Sequence, residues 1–178
     1  MAYLVVYDLP SENRRVYGQL EKEVISNARV KATYHLHKLG LLVTESSVLV
    51  IDKERREIEN TISKVYEIYD EAASEIRQLM GAVILEPKIR FFEITREQTE
   101  VVKELAIGRV IRAVNESIEV INEILEGIRR TSRRRLLRLR REWDRTKTLL
   151  EILGENTNDV EYLIEMIDEA LEKIKEGE

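Results

Sequence analysis

YLVVYDL, residues 3–9, decides how the N-terminal half is read: aromatic, aliphatic and β-branched side chains run without pause to Asp8, and Pro10 follows at once. Such a run, too short for a helix and closed by a residue that cannot donate to a ladder, predicts a buried strand with a sharp end. Ser11 is placed to cap a helix carrying Val16, Leu20 and Val24 at helical spacing. The pattern loosens at Ser26 and Asn27, where a bend is expected, and resumes through Tyr34, Leu36 and Leu39 to Gly40, read as a left-handed stop.

LLVTESSVLVI, residues 41–51, reads either as one long strand or as a tight hairpin turning at Glu45 and Ser46, with Asp52 capping the helix after it. Ile58, Ile62, Val65, Tyr69, Ala72, Ile76 and Leu79 then alternate spacings of four and three, the mark of a long helix, up to Gly81. Residues 82–94 are strand-like but interrupted by Pro87, which favours a hairpin or an edge strand. The order of strands and helices predicts an α+β fold: a small ferredoxin-like module over residues 1–94, then a helical region over residues 95–178.

In that second region Ile107, Ile111, Val114, Ile118, Ile121, Leu125 and Ile128 form another regular heptad stripe, on a helix starting near Thr95. A seam this regular predicts a helical extension or coiled coil, and with the first stripe it predicts a homodimer. Gly127, Thr131 and Ser132 weaken the helix ahead of an arginine-rich segment. Leu136, Leu139, Trp143, Leu150 and Leu153 lead to a stop at Gly154, and Asn158 with Glu161 resembles a capping box for a last helix.

A net charge of −5 argues against a globally basic protein, yet charge is distributed in blocks. Residues 129–145 hold nine arginines against Glu142 and Asp144, whereas residues 146–178 hold three lysines against ten acids. Guanidinium groups suit phosphate because their planar donors bind bidentately. An antiparallel hairpin of the two segments would set Arg145 near Glu165 and Asp168, Arg141 near Glu169 and Glu172, and Arg138 near Glu172 and Glu176. Arg129, Arg130, Arg133 and Arg134 would overhang it, which makes them the expected contacts to DNA or RNA phosphates.

Forty-three per cent hydrophobic and 35% charged residues belong to a folded chain. The absence of cysteine excludes disulfides and thiolate sites and fits a reducing, cytoplasmic setting. There is no apolar run of membrane-spanning length and no signal-peptide core, so no membrane partner is expected. The abundance of Glu, Lys and Arg matches a thermophile-like composition. No phosphate-binding glycine loop, dinucleotide fingerprint or G-x-S-x-G motif is present, so the chain is read as non-enzymatic, with no catalytic residue and no cofactor assigned. His35 and His37, two apart, fall on nearly opposite sides of a helix and are not expected to share a metal.

Two resemblances bear on the N-terminal half. YLVVYDLPSENRR resembles the first strand and helix start of the Cas2 family, whose members place an Asp at the strand end and Arg residues just after. LHKLGLLVTESSVLVI, with a Gly followed by a Ser-Val pair, adds to the likeness. It covers residues 1–94 and implies a ferredoxin-like dimer that handles nucleic acid. Asp8 would take the metal-binding position, and Arg14 and Arg15 would be secondary nucleic-acid contacts. The implied alternative activity is a metal-dependent nuclease, with Mg²⁺ as its ion and Asp8 needing a symmetry mate or substrate phosphates to complete the site. The chain departs from that family in a longer span between Ser11 and Gly40 and in its last 80 or so residues. Residues 25–51 also resemble a winged-helix recognition helix and wing, which would turn Arg29, Lys31 and His35 towards DNA.

Overall fold

The computed structural model describes residues 1–12, 17–80 and 84–176. It shows β1 (Ala2–Asp8), α1 (Gln19–His37), β2 (Leu41–Thr44), β3 (Ser47–Ile51), α2 (Arg55–Met80) and β4 (Lys88–Ile94), then α3 (Arg96–Leu125), α4 (Arg133–Ile152) and α5 (Asn158–Glu176). The chain divides into two compact units, Met1–Ala106 and Ile107–Glu178, and the division runs through α3.

The first unit is α+β. Its four strands form one antiparallel sheet in the order β2-β3-β1-β4, compatible with the β-α-β-β-α-β ferredoxin-type arrangement. β1 is central, pairing Val5 with Val48 and with Phe91, while the hairpin of β2 and β3 turns at Glu45–Ser46. β4 starts directly after Pro87 and lies at the sheet edge, the one place a neighbouring proline costs no ladder bond. Alternation along β1 sends Tyr3, Val5 and Tyr7 to one face, where α1 and α2 cover them with Ile25, Ala28, Leu36, Val65, Tyr69 and Ile76.

The first heptad stripe is therefore buried within its own subunit. Ile58, Val65, Tyr69, Ala72 and Ile76 are all at most 5% exposed in the core formed with α1 and the sheet, and Ile62 is partly buried against it. A 3.5-residue repeat marks a narrow buried face, and a sheet-plus-helix floor occupies that face as well as a second helix would. Leu79 and Gly81 lie outside the described side chains and residues.

Other local expectations are corrected. α1 runs unbroken through Ser26 and Asn27 and is capped at Gly18 rather than Ser11. Its buried stripe is Glu21, Ile25, Ala28, Ala32 and Leu36, while Leu20 and Tyr34 face solvent. The alanines were easily overlooked as core, yet small side chains there and at Ala72 and Ala73 let α1 and α2 approach closely. Gly40 does not supply a left-handed stop. A Cβ on it would stand 1.9 Å from the Leu49 carbonyl oxygen, so glycine is required by the closeness of β3. Asp52 is the residue with positive φ, 57°, and the first turn of α2 bonds to the Glu54 carbonyl instead.

The second unit is helical. It begins partway along α3, whose N-terminus still belongs to the first unit: there Thr95 and Gln98 cap the helix reciprocally, with Gln98 N–H donating to Thr95 Oγ1 at 3.3 Å and Thr95 N–H to Gln98 Oε1 at 2.9 Å. α3 ends at a left-handed Gly127 (φ 76°), and Ser132 opens α4 by accepting from Arg135 N–H at 3.3 Å. The turn expected around Gly127–Ser132 is thus present. Gly154 (φ 72°) ends α4, and the cap of α5 sits one residue early, where Thr157 Oγ1 donates to Glu161 at 3.0 Å. Val114 and Ile121 of α3, Leu136, Trp143 and Leu150 of α4, and Val160, Leu163 and Ile167 of α5 are buried. Ile111 and Ile128 of the second stripe remain largely exposed. Among the described residues no helix is long and apolar enough to cross a membrane.

Candidate nucleic-acid interface

α4 is a strong helix former over most of its length, and its character is set by which face each arginine takes. At about 100° per residue, Leu136, Arg140, Trp143, Lys147 and Leu150 share one side. Arg134, Arg138, Arg141 and Arg145 fall on the opposite side. The contacts agree: Arg140 Nε donates to Asp168 of α5 at 2.6 Å and its other arm to Asp144 at 2.6 Å, while Lys147 meets Glu161 of α5 at 2.9 Å.

The antiparallel hairpin of α4 and α5 therefore exists, but its pairing differs from the sequence expectation. Asp168 takes Arg140 rather than Arg145, and among the described residues α5 makes no ion pair with Arg138 or Arg141; the Glu176 side chain, expected near Arg138, lies outside them. Leu136, Trp143 and Leu150 must face inward, and that fixes Arg140 and Lys147 as the residues flanking the seam. The spacing of Leu136, Trp143 and Leu150 carries this signal, whereas the net charge of each segment does not.

Electrostatics follow the contacts. The Asp168 hydrogen bond, then its charge, raises Arg140 above the usual arginine value. The hydrogen bond that Lys147 donates to Glu161 raises Lys147 above the ordinary lysine value, and the hydrogen bonds Glu161 accepts from Lys147 and Thr157 hold it below the usual carboxylate range. On the outer side, Arg138 has only Glu142 at 3.8 Å and keeps 73% of its side chain exposed. Arg134, Arg141 and Arg145 make no ion pair among the described residues, and Arg145 Nε is buried with no hydrogen-bond partner.

The overhanging cluster is only partly as expected. Arg130 precedes α4 in the turn and Arg133 and Arg134 lie in its first turn, all three exposed. Arg129 is not unmatched: its guanidinium reaches Glu123 at 3.4 Å. Arg14 and Arg15 lie outside the described residues.

Asp8 ends β1 exposed, opposite Lys88 in β4. Among the described residues no three His, Asp or Glu side chains converge as ligands for one ion. His37 sits 2.9 Å from the Tyr7 hydroxyl, and His35 stands edge-on to Tyr34, so the two imidazoles are indeed held apart. Arg29 reaches Glu12 at 3.8 Å, and Lys31 is exposed. Compared with models of known families, with curated proteins and with solved structures, the chain matches none.

Proposed function

We propose that this is a non-enzymatic nucleic-acid-associated protein that holds phosphates along the outer face of α4. The observation that carries the reading is the row Arg134, Arg138, Arg141 and Arg145, turned away from the acidic helix that neutralises its neighbours Arg140 and Lys147. Arg130, in the connection just before α4, stands at the N-terminal end of the row, whereas Arg133, seven residues before Arg140, falls on the inward side. At 1.5 Å per residue the row is about 16 Å long. A strand presents one phosphate about every 3.4 Å of helix axis, so the row can face about five of them. Contacts of this kind position a strand without reading its bases, so binding is expected to be insensitive to sequence. Anisotropy of a labelled oligonucleotide at low salt tests the reading, and no binding to DNA or RNA would end it.

The second reading, from a different class, is a homo-oligomeric assembly or adaptor protein. Val101 and Leu105, one turn apart on the part of α3 that belongs to the first unit, stay 61% and 57% exposed. An apolar strip of this kind is suited to a second copy of the chain. Sedimentation giving a strict monomer at micromolar concentration would reject it. A Cas2-like nuclease remains the alternative for the first unit, and Mg²⁺-dependent cleavage lost in Asp8→Ala is its test.

A further inference from the structure

Where α3 turns into α4, the second unit has a solvent-open pocket of about 300 Å³, with Glu116 and Arg135 exposed at its rim. That is the small end of the range for ligand sites, room for one compact molecule and not for a chain or a duplex. Its apolar wall is made by Val120, Ile121, Ile124, Leu136 and Leu139, and Ile121 and Leu136 are essentially inaccessible at the floor.

The polar lining is mixed in sign. Arg138 and Glu142 face each other at 3.8 Å, and Arg129 is drawn to Glu123, which is not part of the lining. This leaves Arg135 and Glu116, a cation and an anion that each line the cavity and make no ion pair among the described residues. Ser117 and Thr131 add hydroxyls. A complementary ligand needs an anionic group for Arg135, an apolar body for the aliphatic wall, and a hydrogen-bond donor for the Glu116 carboxylate. A free acyl chain lacks the donor, and inorganic phosphate lacks the body.

We infer that this cavity binds one nucleoside monophosphate, with its phosphate on Arg135 and the exocyclic amine of its base on Glu116. Carboxylates accept from the cytosine amino group in just this manner, whereas uracil offers a carbonyl oxygen at that position. The nucleotide is either free or an unstacked unit of a bound strand. The inference about strands rests on the nucleic-acid reading of α4; the one about a free nucleotide does not.

Isothermal titration of the full chain with CMP, UMP and inorganic phosphate tests it. CMP is expected to bind at least fivefold tighter than UMP and tenfold tighter than phosphate. Glu116→Gln should erase the CMP–UMP difference, Arg135→Gln should weaken CMP about tenfold, and Val120→Trp should abolish binding by filling the cavity. Arg135 is exposed, so its variant stays informative if Val120→Trp alters the melting curve. Equal binding of phosphate and CMP, or unchanged CMP binding in Arg135→Gln, overturns the assignment. Anisotropy with a cytosine-rich single strand and a duplex separates the two readings. If Arg134→Gln/Arg141→Gln/Arg145→Gln weakens both nucleic acids while the cavity variants change nothing, the cavity inference falls and the α4 reading stands. If CMP binds but no oligonucleotide does, the ligand is the free nucleotide and the α4 reading falls.

Discussion

Replacing Arg134, Arg138, Arg141 and Arg145 together by Gln removes four cations that α5 does not neutralise. Each phosphate contact contributes a salt slope of about 0.9 on duplex DNA and about 0.7 on a single strand. Four lost contacts should therefore flatten the dependence of log affinity on log salt by about 3.6 or about 2.8 respectively. Between 50 and 200 mM salt, the wild-type protein should lose about 150-fold more affinity than the variant on duplex, and about 50-fold more on a single strand. Anisotropy of a labelled oligonucleotide at four or five salt concentrations gives both slopes. Arg145 is half-buried, so a parallel variant retaining it guards against misfolding, with its expected change scaled to three contacts. Arg140→Gln is the internal control: that side chain is held by Asp168 and Asp144, so stability should fall while the slope stays put. Equal slopes for wild type and the fourfold variant, or a slope change in Arg140→Gln as large as that of an outer arginine, would refute the assignment of faces.

Gly40→Ala sets a Cβ against the backbone oxygen of Leu49, which cannot swing aside, and should destabilise the first unit by about 1–3 kcal/mol; a urea midpoint within error of wild type would contradict this. Ser132→Ala removes the oxygen that accepts from Arg135 N–H and should cost about 0.5–2 kcal/mol, read in the same denaturation by helical circular dichroism. The Lys147–Glu161 pair makes the stability lost in Lys147→Met depend on pH. Glu161 is lowered in the folded state, so its contribution is present above about pH 4.3 and is lost as pH falls through the folded value. Lys147 is raised, so its contribution is complete below about pH 10.4 and is lost as pH rises through the folded value. The gap between the melting temperatures of wild type and Lys147→Met should thus be widest at neutral pH and close at both ends; a gap independent of pH would mean the pair is idle.

The hairpin at Glu45–Ser46, the edge strand after Pro87 and the turn at Gly127–Ser132 were legible because each is set locally, by turn chemistry or by a missing donor. What escaped the sequence depended on what lies opposite. The stripe from Ile58 to Ile76 has the same spacing whether it meets a sheet or another chain, so periodicity could not say that its own sheet would bury it. Ala28 and Ala32 carry little hydrophobic signal, and their place in the core comes from the closeness of α2. Gly40 reads in the sequence as a left-handed stop, whereas its constraint is a carbonyl brought from nine residues further on. At the candidate interface, the hairpin was readable from the opposed charge blocks, but which arginines it would silence needed the wheel set by Trp143.

Trp143 is the only tryptophan in the chain and is 8% exposed, buried in α4 with its indole N–H unpartnered among the described residues. Tyr3, Tyr7 and Tyr69 are at least as deeply buried, and all belong to the first unit. The chain therefore carries a separate optical label in each half. Indole emission reports the helical unit, and the near-ultraviolet dichroism of the three phenols reports the sheet. Burial also pushes the Tyr69 phenol well above its ordinary value, so in alkali its ionisation marks the opening of the first unit. One titration followed at two wavelengths can reveal whether the two halves melt as one cooperative body or in sequence.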